Sequence, residues 1–450
     1  MKQIPEILEA QRSYFATGKT LSLEHRRSAL LKLKNLLIEH ESEIFQALKT
    51  DLNKSTFEAY GTEIGMVNEE LNFILKHLNS LVAPKKKPTP LLHFPSKSQQ
   101  RSDPYGCVLI ISPWNYPFML TITPIIGAIA AGNCIIVKPS EYSPATSNLI
   151  CKILSFFPDQ FIATVEGGQE LSAELLEQRF DFIFFTGSTN VGRLVMEKAA
   201  KYLTPVTLEL GGKSPCIVDE TAKIEVTARR IVWGKLVNSG QTCVAPDYLL
   251  VHESVKDRLV VALKKYIIKF YGEHPEQNPD YPKIINEKHF QRLLSLIPEK
   301  ERQINVKTLQ ISPVILENST WDSDIMKDEI FGPILPILTY TDLNDAMRKI
   351  NQREKPLALY LFTNSKAHEK QVLSQVSFGG GCVNDCIIHL ANSHLPFGGV
   401  GASGTGAYHG KQSFYCFSHQ KSITKKSLAL DVPVRYPPYG KNITILRWFM

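Results

Sequence analysis

The sequence predicts an α/β chain built on parallel sheets covered on both faces, and three observations carry that prediction. Short apolar runs alternate with longer amphipathic ones from Cys107 to Thr363. The apolar runs are nearly continuous, as parallel strands are when helices cover both faces. The alternation occurs twice, once before and once after TPVTLELGG at residues 204–212, so a second α/β unit follows the first.

Ahead of the first strand, residues 21–83 read as helices. Leu30, Leu33 and Leu37 fall on one helical face with charges between them, and a second helical stretch covers Glu63 to Leu81. Pro84, Pro88 and Pro90 stop it, and Leu91 to Arg101 reads as extended and exposed. CVLIIS (107–112) is the first strand. Phe118 to Val137 is the most membrane-like segment, but Pro124 interrupts it and Lys138-Pro139 follows at once. It therefore reads as a buried helix running into the buried strand CIIVKPS (134–140). TSNLICKILSFF (146–157) and SAELLEQR (172–179) are helical, and FIATVEG (161–167) and FDFIFFTGS (180–188) are strands. In the second unit, PCIVD, YLLVH, residues 313–316, 334–338 and 357–363 are strands. Residues 224–236, 255–270 and 342–352 are helices. Residues 417–450 are rich in Pro and aromatic side chains and should pack against other parts of an assembly.

At 450 residues the chain can bury a large core without disulfides or metal, and it spans roughly three domain-sized units. The excess of 51 basic over 44 acidic residues, +7, is mild and scattered apart from Lys85 to Lys87, so no nucleic-acid partner is expected. The eight cysteines sit at low density, several of them in apolar runs. They read as buried thiols of a reducing compartment, and with no apolar signal core near the start the expected location is cytoplasmic. Cys382, Cys386, His389 and His394 do not match a zinc spacing well enough to assign one, so no metal is expected. No transmembrane segment is expected, although Trp448 and Phe449 leave a peripheral membrane contact open.

Three segments carry chemistry. Cys243 lies in the polar loop NSGQTC, where a nucleophilic thiol would sit. A structural thiol and a cysteine hydrolase fit the same string. FFTGSTNVG places Gly187, Ser188 and Gly192 between an apolar strand and a helix, a context for phosphate binding at a helix N-terminus. It is neither G-x-G-x-x-G nor a P-loop, and an ordinary strand-to-helix turn fits it too. VKPSE puts Lys138 and Glu141 just beyond a strand, where they could hold ribose hydroxyls or form a solvated, capped loop.

SPWNYPF, KPSE, FTGSTNVG, TLELGGKSP, GQTC and EIFGP occur in that order between Ser112 and Pro333. Together they resemble the aldehyde dehydrogenase superfamily. WGKLVNSGQTCVAPDY, LPFGGVGASGTGAYHGKQSF and RYPPY make the chain most similar to its class 3, fatty-aldehyde branch. The resemblance covers nearly the whole chain. It implies a Rossmann-like cofactor domain (1–210, with 85–103 joining a small β oligomerisation arm) and an α/β catalytic domain (211–402). A return segment, oligomerisation strand and tail (403–450) complete it. It implies Cys243 as nucleophile, Asn115 as oxyanion donor and Glu209 as general base. Cofactor contacts would come from Trp114, Lys138, Glu141, Gly187, Ser188, Gly192, Glu329 and Phe331. Tyr60, Tyr116, Met119, Trp233 and Ile388 would line the substrate funnel. The implied activity is oxidation of medium- or long-chain aliphatic or aromatic aldehydes to carboxylic acids by a homodimer, with NAD preferred and NADP also accepted. A CoA-acylating enzyme and a cysteine hydrolase are the alternatives. Two departures stand out: residues 300–311 look short for the family's edge hairpin, and the long hydrophobic tail of membrane-anchored members is missing.

Overall fold

The computed structural model describes residues 3–431, 433–440 and 443–449. Its first six-stranded sheet runs Gly404–Thr405, Val206–Glu209, Phe182–Thr186, Cys107–Ile111, Cys134–Lys138, Ile162–Thr164. The pairings are parallel except at Gly404–Thr405, which lies antiparallel to Val206–Glu209. The three central strands are buried at every position, as their unbroken apolar runs require. From Cys107–Ile111 the chain first builds outward on one side, then crosses to the other. The reversal leaves a crevice beyond the carboxyl ends of Ile111 and Thr186, where open α/β sheets bind ligands. Met119–Ala131 is the expected buried helix, with Pro124 inside it and the strand from Cys134 directly after.

The second sheet is wholly parallel, in the order Val314–Leu316, Ile334–Tyr340, Tyr248–His252, Pro215–Val218, Ala358–Phe362, Gly380–Val383. Helices Ile224–Leu236 and Lys256–Tyr271 pack against each other beside it.

A helical layer precedes both sheets. Leu30, Leu33 and Leu37 are buried in the helix Leu23–Glu39, as their spacing predicts. Ile4–Ala16 is a further helix that the periodicity of residues 21–83 did not reach. Its Ile4, Ile7, Leu8 and Gln11 form one buried face. Between Thr56–Ala59 and Gly65–Val82 lies one π-helical turn, Tyr60–Ile64.

The stretch expected to be extended from Leu91 is a short 3-10 turn at Leu91–His93, and the strand begins only at Ser96. Pro90 and Pro95 bracket that turn, and neither can donate to a ladder. Ser96–Pro104 then pairs antiparallel along its whole length with Ser418–Lys426, and Lys85–Lys87 adds a third strand. The short edge hairpin is present as Ile304–Asn305 against Gln310–Ile311. Among the described residues no helix is long and apolar enough to cross a membrane. Trp448 is exposed on the terminal helix Ile443–Phe449.

Candidate active site

The carboxyl ends of the first sheet and the amino ends of the second face one cleft of about 610 Å³. The first sheet contributes Pro113 to Asn115, Thr186 to Asn190 and Glu209 to Lys213. The second unit contributes Cys243, His289, Arg292, Lys327 to Glu329 and Phe331. A larger hollow of about 1040 Å³ lies beside the helix Lys256–Tyr271, but no cysteine or histidine lines it. The chemistry-bearing residues therefore single out the smaller cleft.

Cys243 follows a turn of three left-handed residues: Asn238 (φ 52), Ser239 (φ 53) and Gly240 (φ 75). Gly240 has no substitute there, because a Cβ would lie 2.4 Å from the Gly332 carbonyl oxygen. The Asn115 amide donates to the Gln241 carbonyl at 3.1 Å, and the Tyr116 hydroxyl lies 2.6 Å from Thr242 Oγ1. The loop after the first strand is thus tied to the two residues before Cys243. Burial raises the Cys243 thiol above its ordinary value, and the Glu329 and Glu209 carboxylates push the same way. The backbone N–H groups of Cys243 and Val244 point at the sulfur and oppose them.

Glu209 ends its strand fully buried, and neither carboxylate oxygen has a hydrogen-bond partner among the described residues. Burial alone raises it well above the carboxylate range. Glu329 is pushed up to about 8, first by burial and then by Asp247, against the Gly212 N–H, Lys213 and Lys235. A Cβ on Gly211 would sit 2.1 Å from Glu329 Oε2, so the double glycine of LELGG lets that carboxylate lie against the backbone.

The model of the aldehyde dehydrogenase family matches residues 1–423. The chain belongs to the aldehyde dehydrogenase family. It is 48% identical over 445 residues to the 4,4'-diaponeurosporen-aldehyde dehydrogenase of Staphylococcus aureus, covering 97% of each chain. It is 44% identical to aldehyde dehydrogenase family 3 member B1 of Rattus norvegicus, covering 99% of this chain and 97% of that one. A solved substrate-bound state of Staphylococcus aureus AldH superposes with a TM-score of 0.97 at 47% identity over 100% of both chains. A NAD-dependent aldehyde dehydrogenase from Sinorhizobium meliloti superposes with a TM-score of 0.85 at 26% identity, over 95% and 87% of the two chains. This aldehyde dehydrogenase is thus an oxidoreductase of the class that oxidises aldehydes with NAD or NADP through a catalytic cysteine.

Of the residues the motifs single out, Trp114, Asn115, Gly187, Ser188, Glu209, Cys243, Glu329 and Phe331 all line the cleft. Phe331 stands at positive φ, 52°, with its ring edge-on to Trp114 at 5.3 Å. Ser188 caps the helix Thr189–Ala200, accepting from the Val191 N–H. Gly192 lies outside the cleft lining, in that helix. Its lack of a Cβ lets the helix meet Leu210, which an added Cβ would approach to 2.6 Å. Lys138 and Glu141 are held together at 2.6 Å beyond the neighbouring strand. None of the five expected funnel residues lines this cleft. Tyr116 is buried over Thr242, Met119 borders a small hollow with Glu70 and His409, and Tyr60, Trp233 and Ile388 are exposed.

Thr186, Arg193, Lys213, His289 and Arg292 line the cleft without having been singled out in the sequence. Thr186 Oγ1, at the end of a strand, is buried with no hydrogen-bond partner among the described residues. His289 is lowered to about 4, chiefly by burial, so its ring is neutral beside Trp114, 5.2 Å away. Both had a faint sequence signal: Thr186 stands at a strand's carboxyl end, and His289 follows the helix cap at Asn286. Among the described residues, the one grouping able to hold a metal is Asp219, Glu220 and His368, none of which lines the cleft. Cys382 Sγ is 3.5 Å from His389 Nδ1, while His394 packs on Phe73 instead.

Proposed function

We propose that this aldehyde dehydrogenase oxidises apolar aldehydes to carboxylic acids, with Cys243 as nucleophile, Asn115 as oxyanion donor and Glu209 as general base. The observation that carries the reading is the convergence of these three residues with Glu329 and Phe331 on one cleft. The Cys243 thiol first gives up its proton to water; the thiolate then attacks the carbonyl carbon and the π-electron pair moves to oxygen. An amide has two N–H donors; one from Asn115 holds Gln241, leaving the second for the oxyanion beside the Cys243 N–H. Bound NAD or NADP supplies the hydride acceptor that converts the thiohemiacetal to a thioester. Water then attacks the thioester, its proton passes to Glu209, and the thiolate leaves. A buried carboxylate without partners is a stronger base than an exposed one, which suits that step.

The cofactor fits the chain's residues. The cleft opens where the strand order reverses, beside a capped helix N-terminus at Ser188. Glu329 and Phe331 would hold the nicotinamide end, and Lys138 and Glu141 the adenosine ribose. With Glu141 already on Lys138, the pair offers a carboxylate to a 2′-hydroxyl and has little cation to spare for a 2′-phosphate. We expect NAD to be preferred, with NADP accepted at a higher KM. Changing Glu141 to Gln should narrow the gap by improving NADP. The test is kcat/KM for both cofactors in wild type and E141Q across aliphatic, aromatic and 4,4'-diaponeurosporen-aldehyde substrates. A wild type preferring NADP, or a ratio unmoved in E141Q, defeats the cofactor assignment. Absence of both NADH and NADPH formation with every aldehyde defeats the function.

Tyr60, Trp233 and Ile388, exposed at 48%, 42% and 49%, would form the apolar rim that favours such substrates. The three-stranded arm formed by Lys85–Lys87, Ser96–Pro104 and Ser418–Lys426 carries an edge strand of unpaired backbone groups and suits a two-fold partner. Light scattering at micromolar concentration should give twice the chain mass of 50.6 kDa; a monomer refutes the dimer.

A further inference from the structure

Lys54 and Glu63 form an ion pair at 2.5 Å with both side chains wholly buried in the helical layer. Such a pair is weak evidence of stabilisation, because burial costs both charges their hydration. Its contacts all point toward the candidate site. Lys54 Nζ donates to the Asn115 carbonyl at 3.3 Å and lies 3.9 Å over the Tyr116 ring. Glu63 Oε2 accepts the N–H groups of Phe118 and Met119 at 2.9 and 3.1 Å. These bonds hold the Asn115 loop.

Glu58 faces the same lysine from the turn before the π-helical residues, and its carboxylate reaches the other loop. The Asn238 N–H donates to Glu58 Oε1 at 2.7 Å. The Asn238 side chain donates to the Asn115 carbonyl at 2.7 Å and to the Gln241 carbonyl at 3.2 Å. Asn238 is therefore the joint between the two loops, and Glu58 anchors its backbone. That backbone needs an anchor. Asn238 and Ser239 are consecutive non-glycine residues in the left-handed region, which L-residues disfavour and adopt only when their surroundings impose it.

We propose that Glu58 is a positioning residue: by holding the Asn238 N–H it keeps the Asn238–Ser239 turn left-handed and so sets Cys243 against the Asn115 amide. The inference rests on Cys243 as the nucleophile. Glu58 touches neither substrate nor cofactor. Its loss should slow the step at Cys243 and spare cofactor binding.

The test compares wild type, E58A, E58Q and E58A/S239G, with C243S as control. The readouts are the pre-steady-state rate of NADH formation, NAD binding, melting temperature and the rate at which iodoacetamide alkylates Cys243. E58A should slow NADH formation and alkylation about tenfold, the loss expected when a buried N–H is left without its acceptor. NAD binding should stay near wild type. E58Q, whose amide oxygen can accept the same N–H, should keep most of both rates. S239G should recover much of what E58A loses, because glycine takes the left-handed conformation without an anchor. If E58A is insoluble, E58D replaces it, with the same sign expected and the same recovery by S239G. Wild-type rates in E58A overturn the proposal. So does a loss matched by weaker NAD binding and lower melting that neither E58Q nor S239G recovers. Turnover retained by C243S would instead overturn the nucleophile assignment.

Discussion

Replacing Cys243 with alanine should abolish NAD-linked aldehyde oxidation while dinucleotide binding survives. The loss should be on the order of 10⁴-fold or more, as when a covalent nucleophile is removed from a site that acts as a unit. The side chain is small and the cleft around it is formed by both sheets, so the architecture does not depend on it. Binding should persist because the residues proposed for the cofactor lie on other segments: Ser188 at a helix cap, Lys138 and Glu141 beyond a strand, and Glu329 and Phe331 in a separate loop. Activity is read from NADH absorbance and binding from protein fluorescence. Near-normal turnover by C243A sinks the assignment and revives the reading of Cys243 as a structural thiol.

The second large effect belongs to Glu209. Glutamine there should leave the steps up to hydride transfer intact and cripple hydrolysis of the thioester. A stopped-flow trace should show about one NADH per site formed quickly, then a steady state slower by about 100-fold, the lower end of what general base catalysis contributes. The pH dependence should change with it. The base works as the carboxylate, and burial raises Glu209, so wild-type deacylation should gain rate with rising pH above the ordinary carboxylate range. In E209Q that rise should be lost. If hydride transfer and steady state fall together with no burst, Glu209 acts earlier than deacylation.

The family was legible because its signals are local. An apolar run of five or six residues between turn residues is a strand whatever surrounds it, and a cysteine after Gly-Gln-Thr keeps its order in the chain. The central strands and the helix Met119–Ala131 were foreseen on that basis. Residues 85–103, placed in a small β arm by the resemblance, supply the strand Ser96–Pro104 that pairs with Ser418–Lys426, and the prolines delay its start to Ser96.

What the sequence by itself determined, then, was the two α/β units, the order of the motifs and the residue types available for chemistry. Tertiary structure decided which of them meet. Asn115 and Cys243 are far apart in the chain, yet the Asn115 amide binds the Gln241 carbonyl two residues before the cysteine. Glu209 was marked by TLELGG, but that it ends its strand as a buried carboxylate with no partner among the described residues is a result of packing. Glu58, Lys54 and Glu63 had no motif to mark them. Burial, electrostatic shifts and contacts across loops are properties of packing between distant segments, and a linear pattern does not carry them.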